Sequence, residues 1–241
     1  MKYPHLHPYK LTDALIVLGS FFMSIILVLL LYLIQIIFHI SSISSYVHIS
    51  SYTLSILLQL FVAGLVFAST YIFIIKKNNQ TIADFGFNLI PIAKLLGYIA
   101  LGFLVTFASW IAIAPFIIVF FPGIDLAQSQ DIFQKDMSIV AQVLMIFYAI
   151  IIGPLVEEVI FRGVLLPCLT NKINIYFGVI VSTLIWSLLH FQLNVIIFTF
   201  IFGIILSYQY ISSKSLWPSY LTHVAKNSLA VIAIYALGLF N

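Results

Sequence analysis

A chain of 241 residues that is 63% hydrophobic and 7% charged cannot cover a water-facing surface, because a soluble domain carries about 25% charged residues. Its mean hydropathy of +1.19 makes lipid the solvent for most of it. The net charge is only +3 and the lysines are scattered, so no basic patch for nucleic acid exists, and the single cysteine, Cys168, excludes an internal disulfide.

In chain order, "MKYPHLHPYK" places positive residues before an apolar run from about 14 to 38. That run has no small-residue cleavage site and is too long for a signal peptide, so it predicts a first membrane helix. A membrane helix needs roughly 20 apolar residues. Further apolar segments lie near 51–75, 95–121, 138–153, 155–170, 173–191, 195–211 and 215–238. Pro115 predicts a kink in the third. The stretch 138–170 is too long for one span, and Gly153-Pro154 predicts a break in it. Linkers at 41–51, 76–94 and 122–136 are short, and no internal repeat is visible. The expected architecture is all-α: one integral membrane domain over 1–241, a polytopic bundle of about eight helices, some short, with a polar intramembrane cavity. Lys2, Lys10, Lys76, Lys77 and Lys94 fall on one side under the positive-inside rule and predict a cytoplasmic N-terminus.

The stretch "GPLVEEVIFRG", 153–163, holds the chain's only glutamates, Glu157 and Glu158, and its only arginine, Arg162. Charge at the bilayer centre costs at least ~2.5–3.5 kcal/mol per residue on insertion scales. Glu158 and Arg162 are four apart, share a helix face and can pair. Their plain reading is a structural staple. Glu157 points away from that face and has no local cation. A buried carboxylate without a cation is either protonated or put to use.

Few other titratable groups fall inside spans. "WSLLHFQLN" spaces Trp186, His190 and Asn194 by four, which predicts one helix face. "LTHVAKNSLA" does the same for His223 and Asn227, with Lys226 beside them. One intramembrane histidine is ordinarily a packing residue; two, each with an amide partner and an unpaired glutamate, suggest chemistry. Glutamate and histidine on a wet pocket can take a proton from water. A histidine with an asparagine can donate to a developing oxyanion. Together they describe amide hydrolysis by activated water.

Glu157-Glu158-x-x-x-Arg162, an aromatic four residues before His190, and His223-x-x-x-Asn227 resemble, in order and spacing, the CPBP family of CAAX prenyl endopeptidases and bacteriocin-processing or self-immunity (Abi) proteins. The resemblance covers about the last 90 residues and places the catalytic-motif core at 138–238. It implies an intramembrane glutamic protease in which Glu157 and His190 activate water and His223 and Asn227 form the oxyanion site. Glu158, Arg162, Trp186 and Asn194 are supporting. Trp186 stands where the family usually has phenylalanine, which keeps an aromatic wall. No cofactor is expected; a zinc site of Glu157, His190 and His223 plus water is the alternative.

Other protease chemistries fit less well. H-E-x-x-H is absent, no aspartate lies centrally in a span, no serine sits in a G-x-S-x-G setting, and Cys168 reads as a small packing residue. The expected partners are membrane lipid and a peptide or membrane-protein substrate, prenylated or leader-type, and not nucleic acid. A non-proteolytic binding or immunity protein is the competing function. A proton-coupled transporter ranks third, since such folds commonly show inverted repeats and paired broken helices.

Overall fold

The computed structural model describes residues 10–37, 51–121, 123 and 137–237. The linkers at 41–51 and 122–136 fall almost wholly outside the described residues, as do Lys2, His5, His7, His39 and His48. In lipid, backbone N–H and C=O groups must be satisfied within the segment itself, which leaves helices as the solution for apolar runs of this length. The described residues form eight helices and no strand. They are α1 (Leu11–Ile37), α2 (Ser51–Thr70, continued by a π-helical turn Tyr71–Lys76), α3 (Ile82–Phe85) and α4 (Ile92–Phe120). Then follow α5 (Ile139–Lys172), α6 (Ile175–Leu188), α7 (Leu193–Ser213) and α8 (Leu216–Leu237). Helices α2, α4, α5 and α7 are long and apolar enough to cross a membrane.

The centre of the bundle is α5. Every residue from Glu158 to Leu165 is buried, as a helix enclosed on all sides must be. Ile160, Phe161 and Leu165 pack with Trp186 of α6, Phe202 and Leu206 of α7, and Val66 of α2.

The break expected at Gly153-Pro154 does not occur: α5 runs on through it. Proline removes one N–H and clashes with the carbonyl four residues back. The helix relieves the clash by widening. Tyr148–Ile152 is a π-helical turn, and Gly153 N–H reaches back five residues to Tyr148 O. A second π-helical stretch spans Glu158–Leu165. The segments expected at 138–153 and 155–170 are therefore one helix.

Part of the linker expected at 76–94 is folded. A capping box between Thr81 and Asp84 starts α3. Phe85 is buried against Gly163, where a Cβ would come within 2.5 Å of its ring. Gly86 turns the chain at φ 131°, and its carbonyl accepts from Leu216 N at 2.7 Å. These contacts tie the start of α8 to the middle of α5, the two helices that carry the polar residues.

Candidate active site

Arg162 and Glu158 lie one turn apart inside the bundle, 1% and 0% exposed at their side chains. Arg162 NH1 donates to Glu158 Oε1 at 2.9 Å, and NH2 donates to Gly203 O at 3.2 Å. Its guanidinium lies 4.4 Å over the Trp186 ring. Gly203 lets α7 come this close: a Cβ there would meet Thr183 at 2.6 Å and Trp186 at 2.9 Å. Glu158 does more than pair. His223 Nδ1 stands 3.2 Å from the same Oε1. A carboxylate facing Arg162 accepts, so Nδ1 carries the proton of that bond and Nε2 faces the other way.

Nε2 faces Glu157 Oε2, at 3.7 Å. Glu157 also accepts a hydrogen bond from Trp186 Nε1 at 2.7 Å. Its side chain is 33% exposed, unlike that of Glu158. The exposed part lines a cavity of about 400 Å³ shared with His190, His223, Lys226 and Asn227. A second cavity of about 370 Å³ meets Glu157, Trp186 and His190 from the side of α1, where Phe21, Phe22 and Ile25 line it. The carboxylate thus stands between a polar chamber and an apolar one.

Asn227 Nδ2 donates to Ala149 O at 2.8 Å. That carbonyl is free because the π-helical turn sends Gly153 N–H past it to Tyr148. An amide has two N–H donors, so the second can serve the cavity.

The structure brings Glu157, His190, His223 and Asn227 to one cavity, with Trp186 also in its wall, and buries Glu158 and Arg162 behind it. It does not bring Asn194 there on the helix of Trp186. Helix α6 ends at Leu188, the chain turns at 189–192 with Phe191 at φ 58°, and Asn194 belongs to α7. Its Oδ1 accepts from Val195 N instead. His190 lies past the end of α6, with Nδ1 3.1 Å from Trp186 O. Among the described residues no three His, Cys, Asp or Glu side chains form a cluster suited to a metal ion. Tyr148, Gln59 and Thr199 line the cavity without having been singled out in the sequence. They are ordinary polar residues within apolar runs, and only the fold shows which way they point.

Residues 139–229 match the family described as Rce1-like, type II CAAX prenyl endopeptidase Rce1-like. This match supports membership of the CPBP family for that segment. Two curated proteins also match part of the chain. "Putative membrane peptidase YdiL" of Bacillus subtilis (strain 168) is 30% identical over 89 residues, covering 37% of this chain and 36% of that protein. "Membrane-embedded CAAX protease MroQ" of Staphylococcus aureus (strain USA300) is 36% identical over 93 residues, covering 36% of this chain and 38% of that protein. The matched region is thus under two-fifths of either relative's length. No solved structure matches. The segment matched by the family model runs from the start of α5 into α8 and takes in both glutamates, His190, His223 and Asn227. With its apolar helices, the chain is an integral membrane protein.

Proposed function

We propose that this protein is an intramembrane endopeptidase that hydrolyses a peptide bond with water activated by Glu157. The observation that carries the reading is the division of labour between adjacent carboxylates. Glu158 is sealed and paired, whereas Glu157 is partly exposed to a cavity that also holds two histidines and an asparagine. In this mechanism Glu157 takes a proton from a water held against it and His190. The hydroxide attacks the scissile carbonyl carbon. The oxyanion accepts from Asn227 Nδ2–H and from His223, which enters the step already as the imidazolium, its Nδ1–H on Glu158 and its Nε2–H turned to the cavity. The proton held by Glu157 passes to the leaving amine as the carbon–nitrogen bond breaks, leaving a carboxylic acid and an amine, between which the last proton moves to give carboxylate and ammonium.

The apolar chamber beside Glu157 supports a membrane-associated substrate, prenylated or leader-type. The reading includes a cytoplasmic N-terminus and no metal. The test compares the peptides of membranes carrying wild-type protein with those carrying Glu157→Gln at equal abundance. Peptides whose cleavage depends on Glu157 are expected. Identical peptide sets, with the cellular effect retained by the variant, would overturn proteolysis in favour of a binding or immunity protein.

A further inference from the structure

We propose that Lys226 is a specificity residue that binds a carboxylate of the peptide, either its free C-terminus or an Asp or Glu side chain close to the scissile bond. The inference rests on the proteolytic reading above and adds a substrate class to it. Lys226 lines the same cavity as Glu157 and His223. On α8 it follows His223 by three residues and precedes Asn227 by one. At about 100° per residue it projects roughly 60° to one side of His223, with Asn227 about 40° to the other. The oxyanion pair and the lysine therefore face one chamber as neighbours.

A lysine in an apolar helix ordinarily reaches out to the membrane surface. Lys226 sits at the middle of α8, roughly 15 Å along the axis from either end at 1.5 Å per residue, which is farther than its side chain extends. Its ammonium is instead held over the Phe198 ring, 5.4 Å from the centroid. Trp110 of α4 packs edge-on against Phe198 at 5.5 Å and fixes that ring. Among the described residues Lys226 makes no ion pair and no hydrogen bond, and Glu157, the carboxylate in the same cavity, lies beyond salt-bridge distance. A charge inside a membrane helix is costly and marks a functional group. This one faces that chamber, where among the described residues Glu157 attracts it across the cavity without forming a salt bridge. A peptide carboxylate on Lys226 would complete the pairing and orient the chain while its scissile carbonyl lies at His223 and Asn227.

The test uses wild-type, Lys226→Met and Lys226→Arg protein in lipid nanodiscs. The probe is a library of N-palmitoylated ten-residue peptides of randomised sequence, made once as C-terminal acids and once as C-terminal amides. Cleaved members are made again with Asp and Glu replaced by Asn and Gln. Mass spectrometry gives the ratio of kcat/KM for the charged over the neutral form, within one preparation, so loss of folded protein cancels. A charge-assisted hydrogen bond predicts a wild-type ratio on the order of tenfold to a hundredfold. It falls to near one in Lys226→Met and is retained in Lys226→Arg. The acid–amide arm and the side-chain arm tell the two carboxylate sources apart. Wild-type cleavage with ratios near one in both arms overturns the inference and leaves proteolysis standing. No cleavage by wild-type protein overturns both.

Discussion

Removing Arg162 tests the polar core most directly. The guanidinium pairs with Glu158 at 2.9 Å, where both side chains are essentially sealed from solvent. Arg162→Ala therefore strands a buried carboxylate, and breaking such a pair from one side costs ~3–5 kcal/mol. The bond to Gly203 O adds little, because that carbonyl also accepts from Ser207 Oγ at 2.8 Å. The lost contact with the Trp186 face is worth up to ~2 kcal/mol when desolvated, but it vanishes in the same event and does not simply add. The expected loss stays at ~3–5 kcal/mol. At roughly 2–4 °C per kcal/mol for a chain of this size, the unfolding midpoint falls by about 6–20 °C. Glu158→Ala strands Arg162 and frees His223 Nδ1, so it should lose a similar amount. The double mutant strands neither charge and should lose clearly less than the sum. The assay is thermal unfolding of the four proteins in one detergent, followed by tryptophan fluorescence. Single losses under about 1 kcal/mol, or additivity within about 0.5 kcal/mol, would refute the pair as the keystone of the core.

Glu157→Gln keeps an acceptor for Trp186 Nε1 and should give inactive protein at wild-type abundance, by immunoblot of membranes. Glu157→Ala leaves that indole without its partner and should cost a further ~1–3 kcal/mol. Asn227→Ala should lower kcat by ~10²–10³ with little change in KM, and its lost bond to Ala149 O should lower the unfolding midpoint slightly; a rise in KM alone would place Asn227 in substrate binding. Gly203→Ala should overpack the contact with Trp186 at a cost of ~1–3 kcal/mol and reduce cleavage although Glu157 is untouched, checked by parallel unfolding and activity measurements. Chelators should leave cleavage unchanged; loss restored by added zinc would turn Glu157 and the histidines into ligands.

The sequence made some of this legible through spacing within one helix. Glu158 meets Arg162, and His223 shares a face with Asn227, because each pair is four apart on a continuous helix. The same rule misled at Asn194, since a spacing of four means a shared face only where no turn intervenes. Apolar periodicity also hid the continuity of α5, because a π-helical turn accommodates a proline that an α-helix would not. The hydrogen bond from Trp186 to Glu157 joins residues on different helices, 29 positions apart. The bridge made by His223 between the two glutamates spans a still larger separation. Packing alone specifies such contacts. Lys226 stood out as an ion in an apolar run, but its surroundings come from Phe198 and Trp110, on two other helices.

The widened turn at 148–152 also bears on how this region can change over time. Each residue deleted there would swing the helix ahead of it by about 100° and draw it in by about 1.5 Å relative to the glutamates. A deletion that restored ordinary winding would return the Ala149 carbonyl to its own helix and cost Asn227 its anchor. Exchange of one apolar side chain for another upstream of Gly153 leaves that count intact. The apolar positions from 139 to 152 are therefore open to exchange for other apolar side chains, whereas the tract from 139 to 165 is closed to changes of length, and single-residue deletions scanned through it should abolish activity even where every polar side chain named above is retained.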